Sequence, residues 1–282
     1  MTEGEAAPAA AGEQGSRNLV LRIVAALVLV PLAVASAYAG GLFWIALVTL
    51  TVVGLYVEWL TIVGTASRKL AAFAGATALA ITGVLLALGR LDIALPVLCV
   101  GLVAAFLDRS GHRLWTATGF AYAAAAEVAS VLVRADAAKG FAALMLVFTV
   151  VWATDTGGYF AGRGIGGPKL WPQVSPKKTW AGAIGGFAAS LAVAACFAAL
   201  DLGKSGPLLV LAALLSVVSQ LGDLFESALK RRFGVKDSSH IIPGHGGLLD
   251  RLDGFVAAVI VAAIFGFLRG GADGVGRGLM VW

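Results

Sequence analysis

Two stretches hold most of the side chains able to do chemistry. At and just before the first, residues 222–254, Gln220, Asp223, Ser227 and Lys230 recur at three- and four-residue intervals, so a helix end sets them on one face. Asp250 and Asp253, three apart, share a face in the same way. Hard carboxylate oxygens from two helix ends are what a magnesium ion needs, with phosphate oxygens and water completing its octahedron. Lys230, Arg231, Arg232 and Lys236 supply positive charge for an anionic substrate. The same residues could instead mark a membrane edge, with the aspartates paired to them. Function is favoured because a Pro-Gly-His-Gly-Gly turn at 243–247 joins the two acidic helix ends. Acids beside a bilayer are also expensive to keep.

The second stretch is 152–182. Asp155 ends an otherwise apolar run. Six glycines between 157 and 167 let backbone amides approach an anion closely, and Lys169, Lys177 and Lys178 add charge. The segment from Ser175 to Thr179, Ser-Pro-Lys-Lys-Thr, precedes another apolar run, where a helix N-terminus would attract phosphate. Gly162, Gly164 and Gly167 match the dinucleotide-binding spacing, but no strand precedes them in a helical membrane protein, so that reading is discarded. Pro168 excludes a phosphate-binding loop of the Walker type. Glu58 and Glu127 lie inside apolar runs, where lining a cavity and pairing structurally stay equally open. His240 and His245 lack the spacing of a zinc site.

The elements that must position these groups are helices in lipid. With 59% hydrophobic and 13% charged residues among 282 and a mean hydropathy of +0.90, the chain has too few charges to cover a water-soluble body, and is too apolar for disorder. The expected fold is all-α and polytopic. About nine spans are read near 19–38, 42–63, 70–89, 91–107, 115–133, 140–161, 180–200, 206–226 and 253–268, because the runs are continuously apolar and do not alternate with period two. Residues 1–18 read as a disordered cytoplasmic tail, 19–138 as N-terminal transmembrane helices, and 139–282 as a catalytic region with cytoplasmic loops at 162–179 and 227–249. The first span reads as an uncleaved anchor rather than a cleaved signal. The excess of Lys and Arg records topology rather than nucleic-acid binding, and places the N-terminus inside and the C-terminus outside. Cys99 and Cys196 sit in apolar runs and read as small buried hydrophobes, with no disulfide or metal framework.

The motifs together resemble the CDP-diacylglycerol synthase (phosphatidate cytidylyltransferase) family. That family's pattern is Ser-x-apolar-Lys-Arg, four residues, Lys-Asp, then Pro-Gly-His-Gly-Gly-apolar-x-Asp-Arg-apolar-Asp. Here it stands as Ser227, Lys230, Arg231, Lys236, Asp237, residues 243–247, Asp250, Arg251 and Asp253, without departure. The resemblance implies condensation of CTP with phosphatidic acid to CDP-diacylglycerol and pyrophosphate, at the cytoplasmic face of the plasma membrane. It implies Mg2+, paired with a second, monovalent cation such as K+, and a homodimer. Asp223 and Asp250 would hold metal with Asp253 in support, and Lys230 would act with them in catalysis. Substrate contacts would come from Asp155, Lys169, Ser175, Lys177, Lys178, Thr179, Ser227, Arg231, Lys236, Asp237, His245 and Arg251. A CTP-dependent polyprenol kinase is the nearest alternative, and a transporter a more distant one.

Overall fold

The computed structural model describes residues 24–66, 69–107, 111–239 and 246–282. Lipid offers the backbone no hydrogen-bond partners, so apolar runs close their own as helices. In chain order these are α1 (Val24–Ala39), α2 (Gly41–Val63), α3 (Lys69–Ala87), α4 (Leu91–Phe106), α5 (Arg113–Ala135), α6 (Gly140–Gly164), α7 (Trp180–Ala199), α8 (Ser205–Arg232) and α9 (Leu249–Gly270), closed by a short α10 (Val275–Met280). An apolar helix lies at each expected place, but only seven of those described are long and apolar enough to cross a membrane. Helix α4 has 16 residues, about 24 Å at 1.5 Å per residue, which falls short of a hydrocarbon layer of roughly 30 Å. Helix α1 is described only from Val24. The tail and the start of the first run lie outside the described residues.

The two expected loops are more ordered than the sequence implies. Helix α6 continues to Gly164, and 169–179 forms an antiparallel hairpin of β1 (Lys169–Trp171) and β2 (Ser175–Thr179), pairing Lys169 with Thr179 and Trp171 with Ser175. Helix α8, at 28 residues, is about 42 Å long and exceeds the hydrocarbon thickness, so Ser227, Lys230 and Arg231 are helical. Its last turn carries Lys230, Arg231 and Arg232, which suits the negative end of the helix dipole.

Packing brings the charged helix ends together. Helices α6 and α7 meet through small residues, the means by which membrane helices approach closely. A Cβ on Gly182 would stand 2.9 Å from the carbonyl oxygen of Gly158, so even alanine there would force the two helices apart. On the other flank Trp44 Nε1 donates to the Ser130 carbonyl at 3.0 Å and Trp59 Nε1 to that of Trp115 at 2.8 Å, fixing α2 to α5. Both cysteines are exposed on the bundle's outside rather than buried. Lipid is as apolar as the core, so hydrophobicity alone could not tell these faces apart.

Asp136, between α5 and α6, ties the C-terminal segment down. Its carboxylate accepts the N–H groups of Ala138 at 3.0 Å and Lys139 at 2.8 Å, and Nε of Arg277 at 2.7 Å. Burial opposes its charge, but the Lys139 N–H and the Arg277 guanidinium outweigh burial and hold the carboxyl below its ordinary value. The contribution to stability is therefore complete above about pH 4 and is lost as pH falls through the lower folded value. Asp136→Ala is expected to destabilise by about 1–3 kcal/mol, mainly through stranded backbone donors, since Arg277 is half exposed. A thermal midpoint equal to that of the wild type would contradict this.

Candidate active site

The charged ends of α6, α8 and α9 and the β-hairpin surround one cavity of about 1240 Å3. Its two ends differ in chemistry. Aliphatic and aromatic side chains of α1 and α2, such as Leu29, Val30, Ala33, Trp44 and Val48, line one part. Carboxylates and ammonium groups line the other.

The charged part contains two clusters. In the first, Asp155 of α6, Asp223 of α8 and Asp253 of α9 lie within electrostatic reach of one another, the Asp223 charge acting on both of the others. Lys178, delivered by β2, forms an ion pair with Asp223 and also acts on Asp155 and Asp253. Ser227, one turn on, donates to Asp223 Oδ1 at 3.5 Å. In the second cluster Lys230 Nζ lies 2.7 Å from Glu226 Oε2 and 2.7 Å from Asp250 Oδ1. Asp250 Oδ2 accepts the backbone N–H groups of Ser238 and Gly247, both at 3.1 Å. Asp250 and Asp253 lie at the start of α9, whereas Asp155 and Asp223 each stand nine residues before the end of α6 and α8, inside membrane-length helices where desolvation makes an unpartnered charge costly. The lysines answer that cost.

Of the residues singled out from sequence, Asp155, Lys177, Lys178, Thr179, Asp223, Ser227, Lys230, Asp250, Arg251 and Asp253 all line this cavity. Thr179 does so while capping α7, its hydroxyl accepting the Gly182 N–H at 3.1 Å. Lys169, Ser175, Arg231, Lys236 and Asp237 do not line it. Arg231 follows Lys230 by one position, which turns its side chain about 100° round the helix. His245 and His240 lie outside the described residues. Glu58 and Glu127 line no part of the cavity either. Glu127 is fully buried and accepts the Thr49 hydroxyl at 2.8 Å, while Glu58 binds Ser238, Ser239, Leu248 and Leu249.

Sequence reasoning passed over Glu226, which is 3% exposed, lines the cavity and leaves Oε1 without a hydrogen-bond partner among the described residues. Its place was legible: it stands three residues after Asp223 and four before Lys230, on the face already marked.

Among the described residues no group of three or more His, Cys, Asp or Glu side chains is drawn close enough to cage a metal ion. Magnesium seldom uses such a cage. It keeps several waters and binds through one or two carboxylates plus substrate phosphates. The neighbouring carboxylates of Asp155, Asp223 and Asp253, and the unpartnered Glu226 oxygen, are a hard-oxygen donor set that fits that habit. The carboxylates thus offer oxygens to a cation, and the lysines beside them offer positive charge to an anion.

The model of the cytidylyltransferase family matches residues 20–268. A phosphatidate cytidylyltransferase of Brucella suis biovar 1 is 41% identical over 253 residues, covering 88% of this chain and 93% of that protein. Proteins of the same name from Bacillus subtilis and Haemophilus influenzae are 48% identical over 122 residues and 45% over 139. These cover 42% and 47% of this chain and 44% and 48% of those proteins.

Proposed function

The chain belongs to the cytidylyltransferase family, and on that footing we propose that its cavity joins CTP to phosphatidic acid, giving CDP-diacylglycerol and pyrophosphate. One observation carries the reading: a single cavity is apolar along α1 and α2 and densely charged where α6, α8, α9 and the hairpin meet. A lipid phosphate needs both environments at once, with its acyl chains in the apolar part and its head beside the cations.

In the reaction, an oxygen of the lipid phosphate attacks the α-phosphorus of CTP. The bond between that phosphorus and the bridging oxygen breaks, and pyrophosphate leaves with the electron pair. Phosphoryl chemistry of this kind asks mainly for alignment and charge neutralisation. Lys177 and Lys178 on the hairpin and Arg251 on α9 reach the same cavity and bind phosphate oxygens. Lys178 leaves Asp223 as it does so. Lys230, held between Glu226 and Asp250 before substrate arrives, turns its charge to the incoming lipid phosphate, oriented with Ser227. Asp223, with Asp253 and Asp155, would hold magnesium; Asp250 joins them if Lys230 turns to substrate. The bound ion supplies charge neutralisation on the triphosphate and the leaving pyrophosphate. A second, monovalent cation such as K+ completes the pair in this reading. The charged end faces the cytoplasm, where CTP is found, in a cell membrane, with two copies of the chain forming a homodimer.

The test is incubation of purified protein with CTP, phosphatidic acid and magnesium. The expected result is a nucleotide-linked lipid whose formation stops on chelation. Release of CDP with a newly phosphorylated lipid would point to a lipid kinase, and solute flux without CTP consumption to a transporter.

A further inference from the structure

Glu58 stands near the end of α2, far in sequence from both charged stretches. It is 1% exposed, yet its carboxylate accepts four hydrogen bonds from residues 180 to 191 positions away. Ser239 Oγ donates to Oε1 at 2.6 Å and the Leu248 N–H at 2.9 Å. The Leu249 N–H donates to Oε2 at 2.8 Å and Ser238 Oγ at 3.1 Å. Each oxygen thus accepts two donors.

Helix α9 begins at Leu249 and has no side-chain cap of its own at Leu248. The first N–H groups of a helix lack partners within it. Here they are met from another helix, by a full negative charge, the form that bonds most strongly and suits the positive end of the dipole. The fit is close, since a Cβ on Gly247 would fall 2.6 Å from Glu58 Oε2. The first turn of α9 also carries Asp250, which binds the backbone of Ser238 and Gly247. Glu58 lines no part of the cavity, so it acts on substrate only through α9.

We propose that Glu58 is a positioning residue for nucleotidyl transfer: by capping α9 from α2 it sets where Asp250 and Asp253 stand in the cavity. The inference rests on the function proposed above, but half of its test does not.

Glu58→Gln keeps the size of the side chain while exchanging one acceptor for a donor that faces other donors. Hydrogen–deuterium exchange over 248–253 is expected to quicken about tenfold, the worth of roughly one charged hydrogen bond, while exchange in α5 and α6 stays as in the wild type. Per folded molecule, kcat is expected to fall about tenfold and the magnesium concentration for half-maximal rate to rise, with the KM for CTP changing less than threefold. Glu58→Asp, which keeps the charge, is expected to recover part of both. Should Glu58→Gln not survive purification, Ser238→Ala with Ser239→Ala removes two of the four donors and is expected to move the same readouts in the same direction, about threefold. Unchanged exchange at 248–253, or a loss of activity that only follows the folded fraction, would overturn the proposal. Altered exchange in a protein whose wild type makes no nucleotide-linked lipid would leave the clamp standing and remove the function.

Discussion

Asp223→Asn is expected to lower turnover by about a thousandfold or more and to leave the fold intact. Charge neutralisation by a bound divalent ion is worth several kcal/mol in a transition state that spreads negative charge over phosphate oxygens. A neutral amide at this position cannot hold the ion as a carboxylate does. The fold has little at stake, because the Asp223 side chain is 34% exposed and its hydrogen bond from Ser227 is long, at 3.5 Å. Lys178, released from its ion pair, still faces Asp155 and Asp253. Turnover across a magnesium series, read beside the thermal midpoint of the purified variant, separates the two effects. Turnover equal to the wild type across the whole magnesium series would show that Asp223 is not a ligand.

Lys230→Met is expected to damage the fold and the activity together. The Lys230 ammonium lies between Glu226, 3% exposed, and Asp250, 12% exposed, and is itself only 15% exposed. Removing one partner of a buried ion pair leaves an uncompensated charge and typically costs about 3–5 kcal/mol. Adding Glu226→Gln removes one of the stranded charges. The double variant is therefore expected to regain part of the lost midpoint in detergent while remaining inactive, because the cation facing the lipid phosphate is still missing. A Lys230→Met protein as stable as the wild type would mean that the three groups do not form the cluster described.

How much of this was legible in the sequence differs from group to group. Asp223, Ser227 and Lys230 announced themselves because a helix repeats every 3.6 residues, and their spacing survives in α8. By the same rule Glu226 was within reach. Glu58 was not, because its partners stand at least 180 positions away and no local spacing reports a clamp between α2 and the start of α9. The hairpin at 169–179 was hidden for another reason: Ser-Pro-Lys-Lys-Thr shows no alternation, and two strands of three and five residues are held by each other and by α7 and α8 rather than by a buried face. Helix position was plain from apolar runs, but helix facing was not. A helix bathed in lipid is apolar all round, so periodicity cannot say that Cys99 looks outward or that Glu127 looks inward. The apolar half of the cavity was lost for the same reason: α1 and α2 read as featureless spans, yet they line the part where acyl chains are accommodated in the proposed reaction.

The proposed reaction, in one cavity that takes a soluble triphosphate and a lipid phosphate together, is tested most directly by following two labels in one incubation. CTP carrying distinguishable labels on its α- and γ-phosphates is mixed with purified protein, magnesium and phosphatidic acid, and the lipid is extracted. The α-label is expected in the lipid fraction and the γ-label in soluble pyrophosphate, in equal amounts. A γ-label on the lipid, with the α-label left in CDP, would contradict it.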